Sequence, residues 1–138
     1  MREIKFRAWD KIRENMIYLI DEDSESIPID VYTLELWNGG FQIIFYNSED
    51  DKTYYGEDQV ILLQYTGLKD KNEKEIYEGD IVKQKHYSSD YKDREEVKWH
   101  RDNASFDPFN WGDYSFAPCY CEVIGNIYEN PELLNESN

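Results

Sequence analysis

Hydrophobic and polar positions alternate in short stretches along this chain, and turn-forming residues separate the stretches. Alternation with a period of two puts every second side chain on one face of a strand, so the pattern reads as one short strand after another. Ile4, Phe6 and Ala8 alternate with Lys5 and Arg7 as a half-buried strand. Residues 10–15 are polar and turn-like, and residues 16–20 form the returning strand of a hairpin. Residues 21–26 make an acidic loop. Ile27, Ile29 and Val31 alternate again, but Pro28 cannot donate to a ladder, which demotes that piece to an edge or a strand entry. Residues 34–37 fit a strand or a short helical turn equally well. Asn38-Gly39-Gly40 is a turn, residues 41–46 (FQIIFY) a buried strand, and residues 47–52 a second acidic loop.

The stretch from Gln64 to Val82, QYTGLKDKNEKEIYEGDIV, is the most informative. Residues 60–65 form a strand that Thr66-Gly67 ends. Residues 70–74 make a hairpin connection, and Ile76 and Tyr77 lie on the return strand. Glu78-Gly79-Asp80 turns the chain, and Ile81-Val82 begins a new strand. Residues 83–96 read as a polar excursion. Val97 and Trp99 share one face of a short strand, whereas residues 102–118 show no clear period. Cys119, Cys121 and Val123 share the face of a late strand. Asn130-Pro131 then has the form of an N-cap followed by proline at the first helical position, with Leu133 and Leu134 packing a short closing turn. The fold class expected is mainly β with little helix.

Composition sharpens this reading. The chain has 138 residues, enough for one domain or a barrel with a small annexe, and 12 Tyr, 6 Phe and 4 Trp supply much of its bulk. Aromatic and β-branched enrichment favours strands. No apolar run is long enough to cross a bilayer, the N-terminus lacks the apolar core of a signal peptide, and mean hydropathy is −0.85, so a cytoplasmic location and no membrane partner are expected. Two cysteines cannot form a disulfide framework. Charge excludes more: 15 basic against 30 acidic residues give −15, which repels phosphates and argues against direct nucleic-acid binding. The acidity occupies both halves of the chain, and between Glu14 and Asp58 there is one base, Lys52, against 12 acids.

Three blocks resemble the YopX family of phage and prophage proteins: MREIKFRAWD at the N-terminus, LLQYTGLKDKNEKEIYEGDIV from Leu62 to Val82, and EVIGNIYENPELL from Glu122 to Leu134. The resemblance implies a C-terminal part similar to an SH3-like barrel, beginning near Ile76, and brings no catalytic residues with it. It suggests a small N-terminal β unit over residues 1–70 and the barrel, with its short helical turn, over residues 71–138. In one position the chain departs from the family pattern: Glu73 stands where glycine is common after the Asn of KDKN. A left-handed turn residue there costs a side-chain-bearing residue about 1 kcal/mol, so the expectation is another turn type or Asn72 in the strained position.

Candidate chemistry is sparse. Asp21, Asp23 and Glu25 resemble the start of a calcium loop, but Ser26 stands where glycine is required and Tyr32 where the bidentate Glu belongs. Cys119 and Cys121 with His86 and His100 are a nominal zinc set, yet one intervening residue is too few for the usual paired cysteines, and two core thiols are the simpler reading. Nucleophile, phosphate-loop and metalloprotease motifs do not occur. No catalytic, cofactor-binding or metal residues are therefore assigned. The aromatic stretch over residues 106–116 either folds over the barrel or forms an interface, which makes Trp99, Trp111 and Tyr114 the interface candidates. The function expected is a non-enzymatic protein-interaction module that forms a homo-oligomer or binds a host or phage protein. The alternative is an acidic decoy that imitates DNA and blocks a nucleic-acid-binding protein. A hydrolase would require converging carboxylates in a deep pocket.

Overall fold

A computed structural model describes residues 4–19, 32–48, 50–84, 93–110 and 117–135. The protein is mainly β, with twelve strands and two short 3-10 turns among the described residues. It divides into two compact units, one of Lys5–Leu62 and one of Leu63–Asn138 with Met1–Ile4.

In the N-terminal unit, β1 (Phe6–Asp10) and β2 (Asn15–Tyr18) form an antiparallel hairpin with Arg7 opposite Tyr18 and Asp10 opposite Asn15. β3 (Tyr32–Trp37), β4 (Gly40–Tyr46) and β5 (Lys52–Gly56) form an antiparallel sheet in that order. β6 (Val60–Lys69) starts in this unit, and the boundary falls within it. Ala8, Ile17, Ile43, Tyr55 and Val60 make the core, backed by Tyr32, Leu34, Phe41 and Phe45. These are the alternate residues of β3 and β4, so period-two patterning places one face of the sheet inside.

The β1–β2 turn is tied by its first residue. One oxygen of the buried Asp10 carboxylate accepts the N–H groups of Ile12 (2.9 Å) and Arg13 (3.0 Å), and both oxygens lie 3.3 Å from Gln59 Nε2. Burial pushes the Asp10 carboxyl up, but these hydrogen bonds and the Arg13 charge outweigh it and hold the group below its ordinary value.

The C-terminal unit repeats the device. β6 pairs with β7 (Glu75–Tyr77), and Asp70 in the turn between them is 4% exposed. Its Oδ1 accepts from Asn72 N (2.8 Å) and Lys74 N (3.0 Å), and its Oδ2 accepts from Val123 N (2.9 Å). β8 (Asp80–Gln84) lies between β12 (Cys121–Asn126) and β9 (Arg94–Glu96), while β10 (Lys98–His100) pairs with β11 (Ser105–Asp107). Ile76, Val82, Val97, Phe106, Cys121 and Val123 form the second core.

Several sequence expectations are corrected. Thr66-Gly67 does not end β6; the strand continues to Lys69 through a bulge in which Thr66 Oγ1 donates to Ile76 O (2.8 Å) and accepts from Leu68 N (3.1 Å). Ile4 lies outside β1 and is exposed, because burial on both faces begins only at Arg7. Of the two readings left open for residues 34–37, the strand is the one found. The second acidic loop ends at Asp51, and β5, with no sequence expectation attached, starts at Lys52. The polar excursion contains the end of β8 and all of β9, whose members Arg94, Glu95 and Glu96 carry no apolar signal. Val97 and Trp99 do not belong to one strand: Val97 falls between β9 and β10, fully buried with its N–H on Asp80 O (2.8 Å), whereas Trp99 lies in β10 and is 46% exposed. Cys119 sits exposed in a 3-10 turn (Pro118–Tyr120), and only Cys121 enters the strand. Asn130 makes no side-chain cap on the closing 3-10 turn (Pro131–Leu134). Finally, Glu73 itself adopts the left-handed conformation, at φ 64°, and Asn72 does not.

Candidate functional site

Register in the N-terminal unit sorts the residues of its three-stranded sheet between two faces. Leu34, Ile43 and Tyr55 are directly opposite one another and point to the core. Glu35, Trp37, Gln42 and Tyr54 consequently point to the outer face. Gln42 Nε2 donates to Glu35 Oε2 at 2.9 Å, fixing that register across β3 and β4. The outer face is buried at Thr33 and Ile44 and opens toward Trp37, which is 52% exposed, and Tyr54, which is 56% exposed.

The open end is an indentation of about 440 Å³ whose lining includes Trp37, Gly40, Gln42, Gly56, Glu57 and Asp58. Trp37 stands opposite Gly40, and Gln42 opposite Gly56, so the sheet presents two glycines diagonally across neighbouring strands where side chains would otherwise fill the floor. A Cβ on Gly40 would lie 2.6 Å from Glu57 Oε1 and 3.4 Å from Trp37 Nε1. The glycine thus lets the indole and the carboxylate converge above the backbone. Glu57 Oε1 also accepts the Phe41 N–H at 2.9 Å, which holds its side chain over β4. Lys52, the one base of the acidic segment, lies over the Tyr46 ring at 5.2 Å and is not among the lining residues.

Chemically, this is an aromatic surface with carboxylates at its rim. It can hold a cation against an indole; it lacks the paired, desolvated carboxylates of acid–base catalysis. Among the described residues no group of three or more His, Cys, Asp or Glu is placed to hold a metal ion, and no helix is long and apolar enough to cross a membrane.

Of the expected interface residues, the one described lies elsewhere. Trp99 belongs to the C-terminal unit and packs edge-on against Phe106, with ring centroids 5.0 Å apart. Trp111 and Tyr114 lie outside the described residues, as do His86, Asp21, Asp23 and Glu25. His100 is described, and its Nδ1 is buried without a hydrogen-bond partner. Burial, the neighbouring Cys119 and the Asp70 charge push the Cys121 thiol up to about 12, as befits an inert core group. Sequence reasoning passed over Trp37, Tyr54, Glu57 and Asp58. The signal was the aromatic pair Tyr54-Tyr55 before Gly56 together with a tryptophan directly before Asn38-Gly39-Gly40, but it could be read only once β5 was recognised as a strand.

The chain was compared with known proteins. No curated protein matches it. Among solved structures it resembles the crystal structure of protein EF1440 from Enterococcus faecalis, with 28% sequence identity and a TM-score of 0.59 over 97% of this chain and 99% of that one. The family model described as YopX protein matches residues 5–135. With one match that spans nearly the whole chain, containing the second and third sequence blocks and the first from Lys5 on, the protein belongs to the YopX family.

Proposed function

We propose that this protein acts by contact with another protein and not by catalysis, as a small accessory module of the phage and prophage kind in the bacterial cytoplasm. The observation that carries the reading is the outer face of β3–β4–β5, where Trp37 and Tyr54 are more than half exposed beside an open indentation. Large aromatic side chains held on a rigid sheet are what interfaces use for anchorage. The SH3-like reading of the C-terminal unit is part of the same proposal, supported by its short antiparallel strands. Self-association also belongs to it, since among the described residues β5 has no strand on its outer side and an unpaired edge accepts a further strand. The alternative, an acidic decoy for a nucleic-acid-binding protein, draws its support from the net charge of −15.

The test is retention of host and phage proteins on the immobilised full chain, eluted by salt steps, followed by titration of each purified candidate. A saturable complex supports the module. Basic nucleic-acid-binding proteins leaving at moderate salt favour the decoy. Retention no better than on an unrelated protein of equal negative charge removes both readings. Sedimentation at rising concentration checks self-association, and a strict monomer removes that part.

A further inference from the structure

We infer that the indentation between Trp37 and Glu57 is a docking site for an arginine-bearing segment of a protein partner; this rests on the protein-contact reading above. Three observations converge on it. The floor is cleared by Gly40 and Gly56, which stand opposite Trp37 and Gln42. The indole edge and the Glu57 carboxylate meet over Gly40, within 3.4 Å and 2.6 Å of one point. Asp58 joins them, with Oδ1 3.1 Å from where a Cβ on Gly56 would lie. Both carboxylates and the ring therefore border one open space about 440 Å³ in volume.

Charge complementarity selects the occupant. The segment from Glu14 to Asp58 has 12 acids and a single base, and that base is engaged over Tyr46, away from the lining. No cation of the described residues pairs with Glu57 or Asp58. Two copies meeting indentation to indentation would set carboxylates against carboxylates, which costs binding energy. A guanidinium answers every feature at once. It stacks flat on an indole, and its fork of N–H donors matches a carboxylate edge. Lysine offers a point charge and no plane, so the site discriminates in favour of arginine. Glu57 keeps Oε1 on the Phe41 N–H, leaving Oε2 to accept from the ligand.

The experiment uses the full chain, isotopically labelled, and a synthetic peptide of alternating glycine and arginine, with lysine and glutamate versions as controls. Amide and indole shifts are followed on titration at low and moderate salt. The arginine peptide should shift the Trp37 indole N–H and the Gly40 and Gly56 amides first, and bind more tightly than the lysine version. Trp37→Ala removes an exposed ring and should weaken binding about three- to fivefold. Gly40→Ala keeps the ring and both acids but displaces the Glu57 carboxylate, and should weaken binding by a similar factor. Glu122→Gln, an acid of the C-terminal unit, should change nothing. Shifts scattered evenly over the acidic surface, or unchanged affinity in Trp37→Ala, overturn the site. The two readings also separate. If a protein partner binds Trp37→Ala as tightly as the parent, the module stands and this site falls. If the peptide seats at Trp37 while no protein is retained, the cation site stands and the module falls.

Discussion

Replacing Asp70 tests how far one carboxylate holds the C-terminal unit together. In Asp70→Ala, three N–H groups lose their acceptor. Those of Asn72 and Lys74 belong to exposed residues and can turn to water, so each loss is worth about 0.5–1 kcal/mol. Val123 N is different, because it is buried against a residue 4% exposed and water cannot replace the oxygen. A buried hydrogen bond to a charged group contributes about 1.5–3 kcal/mol, and the orphaned N–H keeps its desolvation cost. The total is about 3–5 kcal/mol, a large share of the stability of a small domain. Urea unfolding followed by circular dichroism should show the midpoint fall by about 2 M, given slopes of about 1–3 kcal/mol per molar for proteins of this size. Asp70→Asn retains one acceptor oxygen and should lose about half as much. Hydrogen exchange at the Val123 amide gives an independent reading, since its protection should collapse before that of Ile81 in the neighbouring strand. If Asp70→Ala shifts stability by less than about 1 kcal/mol, the buried carboxylate is not what links the turn to β12 and the argument fails.

Three further outcomes follow from the same geometry. Glu73→Gly relieves a left-handed residue at φ 64° and should stabilise the protein by up to about 0.5 kcal/mol in thermal or urea unfolding, after subtracting the flexibility that glycine adds to the unfolded chain. The depressed Asp10 pKa means that its stabilisation is complete above the unfolded carboxyl value of about 3.9 and is lost as pH falls through the lower folded value. Acid titration of Asp10→Asn should therefore show a parent-minus-variant stability difference that disappears at the acid end, and a difference constant with pH would contradict the assignment. A thiol reagent should modify Cys119 alone in the native protein and both cysteines in denaturant; rapid native reaction at Cys121 would contradict its burial.

Much of the strand framework was legible, in residues 41–46 as a nearly continuous apolar run and in residues 76–82 as apolar pairs set apart by the Glu78-Gly79-Asp80 turn. The failures share a cause. Arg94–Glu96 is a strand without apolar residues, held by pairing with β8, and no period reveals a partner's register. Gly67 marked a bulge and not an end, since the same residue type serves both and only the Thr66 hydrogen bonds decide. Asp10 and Asp70 looked like two more acids in an acidic chain; what distinguishes them is the set of backbone N–H groups around each, and that set exists only after folding. The candidate site stayed hidden for a similar reason. Trp37, Gly40 and Glu57 meet only when β3, β4 and the residue after β5 are placed side by side, and composition drew attention to the aromatics of residues 106–116 instead.

The bond from Val123 to Asp70 spans 53 residues, and it sets an order of events during synthesis. Every strand of the Lys5–Leu62 unit is synthesised before β7, so its sheet can close while the second unit is still being made. The second unit has no such freedom. Its turn carboxylate waits for a strand near the end of the message, and until β12 arrives β8 has an open side as well. A premature stop before Cys121 would release a chain whose first half can be folded while its second half has an exposed strand and a turn carboxylate short of one of its three donors, which is the form that quality-control proteases remove.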